Sequence, residues 1–112
     1  MEPSRIHELN KIAGEFCGKI LTDEGGVWLY TTTLSGVPHY RKWNPADDHN
    51  DAAEVKAKLR EKGYKYYMDN YDGPHEWEIS DGVHYIKTGK HKDELIALLL
   101  AVEALMKEQK HA

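Results

Sequence analysis

The residues best equipped for chemistry are seven histidines, one cysteine and the acidic run Asp47-Asp-His-Asn-Asp51. The run offers oxygen and nitrogen ligands, yet it lacks the alternating acids, the glycine and the distant glutamate of an EF-hand loop. A single cysteine excludes both a cysteine zinc cluster and an intrachain disulfide. Carboxylates at the start of a helix also stabilise its dipole, which explains the acidic run without a metal. We therefore predict no metal site and no cofactor.

The sequence also contains no arrangement of residues that is typical of nucleophilic catalysis. Cys17 falls on the apolar face of the first predicted helix, where a free cysteine is usually a small core residue. His7 lies ten residues earlier, about 15 Å away along the helix axis, so it cannot act as the base for this thiol. Ser35 lacks the nucleophile-elbow pattern, and Glu24-Gly-Gly-Val27 lacks the Lys-Ser/Thr of a phosphate-binding loop. We predict that the protein is not an enzyme.

The distribution of charge is more informative. The chain has 112 residues and a net charge of −4, which argues weakly against nucleic acid or an anionic membrane as the main partner. No lysine or arginine occurs between Lys65 and Lys87, whereas acidic and aromatic side chains are frequent there. The excess negative charge is therefore local to an acidic segment, residues 66–86. Its candidate partner-binding residues are Asp69, Tyr71, Asp72, Glu76, Glu78 and Asp81.

Two interpretations of the acidic segment stay open. Glu76 and Glu78 alternate with Trp77, so both carboxylates are expected on one face of a strand. One interpretation is a solvated sheet face whose aromatic side chains turn to the core. The other is an acidic, aromatic surface that docks on the basic surface of another protein, because opposite charges steer encounters and Tyr and Trp anchor interfaces. Such a partner could itself bind nucleic acid, with no direct contact between this chain and nucleic acid.

A small-molecule site is the alternative function. A sheet with aromatic residues on both faces can form a pocket, and basic groups would have to converge there on the phosphates of a nucleotide signal. Arg41 and Lys42 beside Trp43 are the best local candidates. The start of the following helix could bind an anion, but Asp47 and Asp48 oppose this. A subunit that acts only as a homo-oligomer is a third hypothesis.

Three helices are predicted from apolar residues at helical spacing. The first covers residues 4–18, with Ser4 as its N-cap. Asn44 and Pro45 are typical of the N-cap and first position of a second helix, which ends at Gly63. A third helix with one broad apolar face covers residues 93–110.

Strands are predicted where aromatic and β-branched residues cluster, over residues 27–33, 37–43, 64–71, 75–80 and 83–88. Asp81-Gly82 predicts a tight turn between the last two strands. The order of elements, α-β-β-α-β-β-β-α, indicates an α+β protein with an antiparallel sheet of about four to five strands and helices packed on it. Aromatic residues on both faces of the third strand suggest helices on parts of both sheet faces, as in a layered α/β/α sandwich.

The chain is predicted to form a single domain over residues 1–112. It contains no linker-like, repetitive or low-complexity stretch. Its N-terminus lacks the basic and apolar regions of a signal peptide, and its longest apolar run, 95–102, is too short for a membrane helix. We therefore expect a cytoplasmic protein that does not associate with membranes.

Five features follow one another along the chain: the stretch Trp43-Asn-Pro-Ala-Asp-Asp, the helix ending Leu59-Arg-Glu-Lys-Gly63, the tyrosine-rich strand, the Trp-containing strand and the closing Ala/Leu helix. Together they resemble the phage ABA-sandwich domain family. The resemblance covers roughly residues 21–106. It implies a layered α-β-α arrangement and a small bacteriophage or prophage accessory protein in an infected or lysogenic bacterium, with no catalytic residues. The resemblance also implies interference with host functions or host defence. Together with the acidic, aromatic surface, it leads us to expect a protein that binds and inhibits a bacterial host or defence protein, such as a nucleic-acid-guided nuclease.

Overall fold

The structure is a computed structural model that describes residues 1–69, 73–81 and 87–111. Within these ranges the chain forms three helices and six strands. In chain order they are α1 (Pro3–Phe16), β1 (Thr22–Glu24), β2 (Val27–Leu34), β3 (Val37–Trp43), α2 (His49–Glu61), β4 (Lys65–Asp69), β5 (His75–Ser80), β6 (Lys87–His91) and α3 (Glu94–His111). None of the described helices has the length and apolar character needed to cross a membrane.

The strands form two antiparallel sheets of three strands each, in the orders β1-β2-β3 and β4-β5-β6. The α+β class is therefore confirmed. The strands are divided between two sheets, however, whereas the sequence suggested one sheet of about four to five strands. Strand patterns predict which residues are extended, but they do not predict which strand edges meet, and here α2 separates β3 from β4 along the chain.

Two tight turns shape the first sheet. Glu24 pairs with Val27, so Gly25 and Gly26 alone connect β1 to β2, and both have positive φ values. Ser35 and Gly36 connect β2 to β3 in the same way, with φ values of 53° and 80°. Two consecutive positive φ angles are typical of the hairpin turns that match the twist of antiparallel strands. The strand β1 is not among the strands that the sequence predicted.

The starts of the first two helices differ from the prediction. Pro3 occupies the first turn of α1 with Glu2 at the N-cap, so Ser4 is not the cap. In α2 the N-cap is Asp48, whose carboxylate accepts hydrogen bonds from two backbone N–H groups. The predicted start at Asn44 and Pro45 is therefore wrong. Those residues form a turn instead, which is held to α1 because the Ala46 N–H donates to Asn10 Oδ1 at 2.9 Å.

One cluster of buried apolar residues joins all three helices to both sheets. In the second sheet, Trp77 and Ile79 point into this cluster, and the Trp77 indole N–H donates to the Glu94 carbonyl at 3.0 Å. Gly89 of β6 lies against the backbone of α3, where an added Cβ would be 2.1 Å from the Ala97 carbonyl oxygen. The helix thus approaches the sheet as closely as backbone atoms allow.

Candidate functional site

The acidic strands lie in the second sheet, and their register defines an outer face that points away from the core. Residues that pair across antiparallel strands share a face. Tyr67 pairs with Glu78, which pairs with Thr88, so these three side chains form the central row. The complete outer face, as the described strands have it, consists of Lys65, Tyr67, Asp69, Glu76, Glu78, Ser80, Thr88 and Lys90.

The helices that touch the second sheet lie on its inner face. The helix α3 packs on β5 and β6, and the ammonium group of Lys56 in α2 lies 5.0 Å from the ring centroid of the inward-pointing Trp77. On the opposite side, Tyr67 is 60% exposed. The described helices that pack on the second sheet therefore leave its outer face open to solvent.

The outer face is acidic at its centre and mixed at its corners. Glu78 occupies the middle of the central strand, and Glu76 lies two residues away on the same side. Lys65 and Lys90 lie at diagonally opposite corners, and Lys90 Nζ is 3.9 Å from Glu76 Oε2. A pair at this distance on an exposed face contributes little stability. Lys65 borders the acidic segment in the sequence, whereas Lys90 lies beyond the segment's end and only the strand register brings it alongside Glu76.

The remaining residues of the predicted binding surface divide into two groups. Asp69 is exposed on the outer face, and Asp81 is exposed directly after the end of β5. Both take part in interactions within the molecule. Tyr71 and Asp72 lie outside the described residues. The structure thus brings Asp69, Glu76 and Glu78 together on one face, as the alternation of β5 predicted for the two glutamates.

The predicted small-molecule residues Arg41, Lys42 and Trp43 do not converge. Arg41 and Lys42 are exposed neighbours on β3 and therefore point to opposite faces of the first sheet. Trp43 is only 1% exposed, and its indole N–H donates to the Asn10 carbonyl at 2.8 Å. It is a core residue, so its side chain does not lie with those of Arg41 and Lys42 at the surface of β3.

The shallow depression beside Arg41 and Lys42 is also unsuited to phosphate. Besides Arg41 and Lys42, the residues that line it include three acidic ones, Asp48, Asp51 and Glu54. Glu54 additionally pairs with Lys19 at 2.8 Å. An anion entering this depression would meet as much negative as positive charge, so the geometry does not favour a nucleotide.

Cys17 behaves as a packing residue. It is half-buried against the core, and burial raises the pKa of its thiol to about 11. The thiolate is the reactive form, so this side chain is a poor nucleophile at neutral pH. Within the described ranges, no group of three His, Cys, Asp or Glu side chains is arranged to hold a metal ion.

Sequence reasoning missed a cleft of about 260 Å³ between the start of α1 and the β1–β2 hairpin. There the His7 ring stacks on Trp28, with ring centroids 4.3 Å apart and planes within 10°. His7 Nε2 lies 3.1 Å from Asp23 Oδ2. Hydrogen bonds from His7 and from the Gly26 N–H hold the pKa of Asp23 below its usual range. No local motif signals this group, because its members come from separate elements.

Comparisons with known proteins identify no relative, since no family model, curated protein or solved structure matches the chain. The resemblance to the phage ABA-sandwich family therefore stays a prediction.

Proposed function

We propose that the protein is a non-enzymatic binding protein whose outer sheet face docks on the basic surface of another protein. The observation that carries this proposal is the central row of Tyr67, Glu78 and Thr88, in which Tyr67 and Thr88 are exposed and Glu78 is partly exposed, on a sheet face that the described helices leave open. The main competing interpretation is a solvated face with no partner.

The aromatic content of the face supports docking. Tyrosine is enriched among residues that dominate binding energy, because its ring offers a large rigid area and its hydroxyl a hydrogen bond. Tyr67 places such a group at the centre of the face, next to a carboxylate, where it is 60% exposed. Tyr66 and Trp77, the other aromatic residues of these paired strands, pack towards the core instead, and Trp77 is 4% exposed.

The arrangement of charge supports a basic partner. The three carboxylates of Asp69, Glu76 and Glu78 lie together around Tyr67, whereas the two ammonium groups occupy the corners. Like charges this close on one sheet face are unfavourable for folding. A cationic partner would relieve that repulsion and would be steered to the face by its charge.

The partner's identity is a further step of the same proposal. A protein with a nucleic-acid-binding groove presents the required basic surface, and the acidic row would then occupy part of the phosphate path. The resemblance to phage accessory proteins supports a bacterial host or defence protein as the target, with inhibition in the bacterial cytoplasm as the result.

The experiment is affinity capture from a bacterial lysate with three forms of the protein at low and high salt. The double variant Glu76→Lys with Glu78→Lys reverses the centre of the face. The matched control, Glu24→Lys with Asp47→Lys, makes the same charge change at exposed positions elsewhere. We expect a basic protein that the wild type and the control retain, that the face variant loses, and that high salt releases.

Stability is measured in parallel. The free energy of unfolding of both double variants should lie within about 1 kcal/mol of the wild-type value, as is usual for surface changes. The docking hypothesis fails if the face variant retains the same proteins as the control, or if binding is insensitive to salt.

A further inference from the structure

The cleft beside His7 has the size of a site for a small ligand. Its volume of about 260 Å³ is just below the range of roughly 300–1,000 Å³ that is typical of small-molecule pockets. Apolar side chains form most of its wall, including Ile6, Val27 and Trp28. His7, Asn10 and Asn44 supply polar groups among them. A mostly apolar cleft with a few polar groups is the usual composition of a ligand site.

The histidine in this cleft is held in one orientation. Asp23 Oδ1 accepts the Gly26 N–H at 2.9 Å, which leaves Oδ2 to accept from His7 Nε2 at 3.1 Å. The stacked Trp28 ring supports the imidazole from one side, and its own indole N–H donates to the His7 carbonyl at 2.9 Å. In a neutral imidazole that donates through Nε2, Nδ1 is an acceptor. No group in the described ranges donates to it.

The charge of the cleft selects against phosphates and carboxylates. No lysine, arginine, aspartate or glutamate is among the described residues that line it. Asp23 lies behind the imidazole and is satisfied by His7 and Gly26. A charged ligand would therefore lose its hydration without gaining a partner of opposite charge.

The polar groups present an acceptor and a donor. His7 Nδ1 is the acceptor. Asn44 Oδ1 already accepts from Asn10 at 3.0 Å, so the amide nitrogen of Asn44 is the part of that side chain left to donate. Such a combination is complementary to a ligand whose edge carries an N–H next to a carbonyl or ring nitrogen. Indole and imidazole walls favour a flat ring.

We propose that this cleft binds a small, uncharged, planar ligand with an amide-like edge, the chemical class of nucleobases and aromatic carboxamides. His7 is the hydrogen-bond acceptor of the site, and Asp23 is a positioning residue that acts through His7. The proposal is independent of docking at the outer sheet face, which lies on a different sheet, so either one can fail alone.

The test uses adenine, cytosine, uracil and nicotinamide as probes and follows the protein's tryptophan indole signals by ¹⁵N NMR. We expect at least one probe to shift the Trp28 indole signal saturably, with a Kd of about 1 mM. The Trp77 signal serves as the internal control, because that indole is buried under α3. Adenosine monophosphate should bind no more tightly than adenine.

Two variants locate the site. His7→Ala should weaken binding about tenfold or more, while His39→Ala, which removes an exposed histidine on β3, should leave the Kd unchanged. Val27→Arg adds a long side chain at the exposed rim and should block binding even if His7→Ala does not fold. The proposal is overturned if no probe at about 10 mM moves the Trp28 signal. It is also overturned if His7→Ala and Val27→Arg bind the probes like the wild type, or if the monophosphate binds far more tightly than adenine.

Discussion

The two faces of the second sheet have the same strands but different constraints. On the inner face, Trp77 and Ile79 are buried and Gly89 meets the backbone of α3. On the outer face of the same ladder, Tyr67 is 60% exposed and its partner Glu78 is partly exposed. The inner face therefore contributes to stability, and the outer face is free to be selected for binding. Substitutions on the two faces should separate these roles.

The largest difference should come from removing the aromatic side chain on each face. Trp77→Ala should lower the free energy of unfolding by about 3–5 kcal/mol, because it leaves a cavity and frees the Glu94 carbonyl. Tyr67→Ala is the matched control on the paired strand and should change it by less than about 1 kcal/mol. Urea denaturation measures both. Similar losses for the two variants would contradict the division between faces.

A second comparison uses two adjacent residues of β6. Gly89→Ala should cost about 3 kcal/mol, since its Cβ would meet backbone atoms of Ala97 and Ala101 that cannot move independently of the helix. Thr88→Ala, one position earlier and exposed on the outer face, should cost less than about 0.5 kcal/mol. Thermal unfolding of the two variants checks this, and a tolerated Gly89→Ala would show that α3 packs less closely than described.

A third comparison concerns carboxylates, one in the covered layer and one on the open face. Glu103 of α3 accepts two hydrogen bonds from the Arg5 guanidinium of α1, at 2.5 and 2.6 Å. Glu103→Gln should destabilise the protein by about 1–3 kcal/mol, because Arg5 then loses its buried carboxylate partner and keeps only the exposed Glu8. Glu78→Gln on the outer face should change stability by less than about 0.5 kcal/mol. Equal effects in urea denaturation would argue against the distinction.

The pair of Arg5 and Glu103 also makes the stability of the protein depend on pH. The hydrogen bond from Arg5 holds the pKa of Glu103 below its ordinary value of 4.5. The unfolded state therefore binds more protons between the two values, so the contribution is fully present above pH 4.5 and is lost as pH falls through the folded pKa. Urea denaturation at a series of acidic pH values should show this loss in the wild type and a smaller one in Glu103→Gln. An identical pH slope in both would exclude Glu103 as the source.

The smallest effect expected is that of the outer-face charges on stability. Glu76→Lys with Glu78→Lys should leave the free energy of unfolding within about 1 kcal/mol of the wild type while changing binding most. A large destabilisation would mean that these carboxylates serve the fold, and the docking hypothesis would lose its main support.

The sequence predicted those features that depend on local pattern. Alternation in β5 correctly placed Glu76 and Glu78 opposite Trp77 and Ile79, and the helical periodicity located all three helices. The sequence pattern could not predict the division into two sheets, because packing in the folded protein determines which strand edges pair. The cap at Asp48 was also missed, since the turn at Asn44 depends on Asn10 in a distant helix.

The candidate sites show the same division. The charge gap between Lys65 and Lys87 is visible in the sequence, but Lys90 becomes a neighbour of Glu76 only through the strand register. Trp43 is aromatic and adjacent to basic residues, yet its burial is decided by the core. The cleft at His7 joins residues of α1, β1 and β2, which no spacing rule connects.

Hydroxyl-radical footprinting of the protein alone and with its captured partner tests the central claim most directly. Tyr67 and Tyr40 are both well exposed, at 60% and 75%, and lie on different sheets. We predict that partner binding strongly reduces oxidation of Tyr67 and leaves Tyr40 unchanged. Protection of Tyr40 with unchanged oxidation of Tyr67 would contradict docking at the outer face of the second sheet.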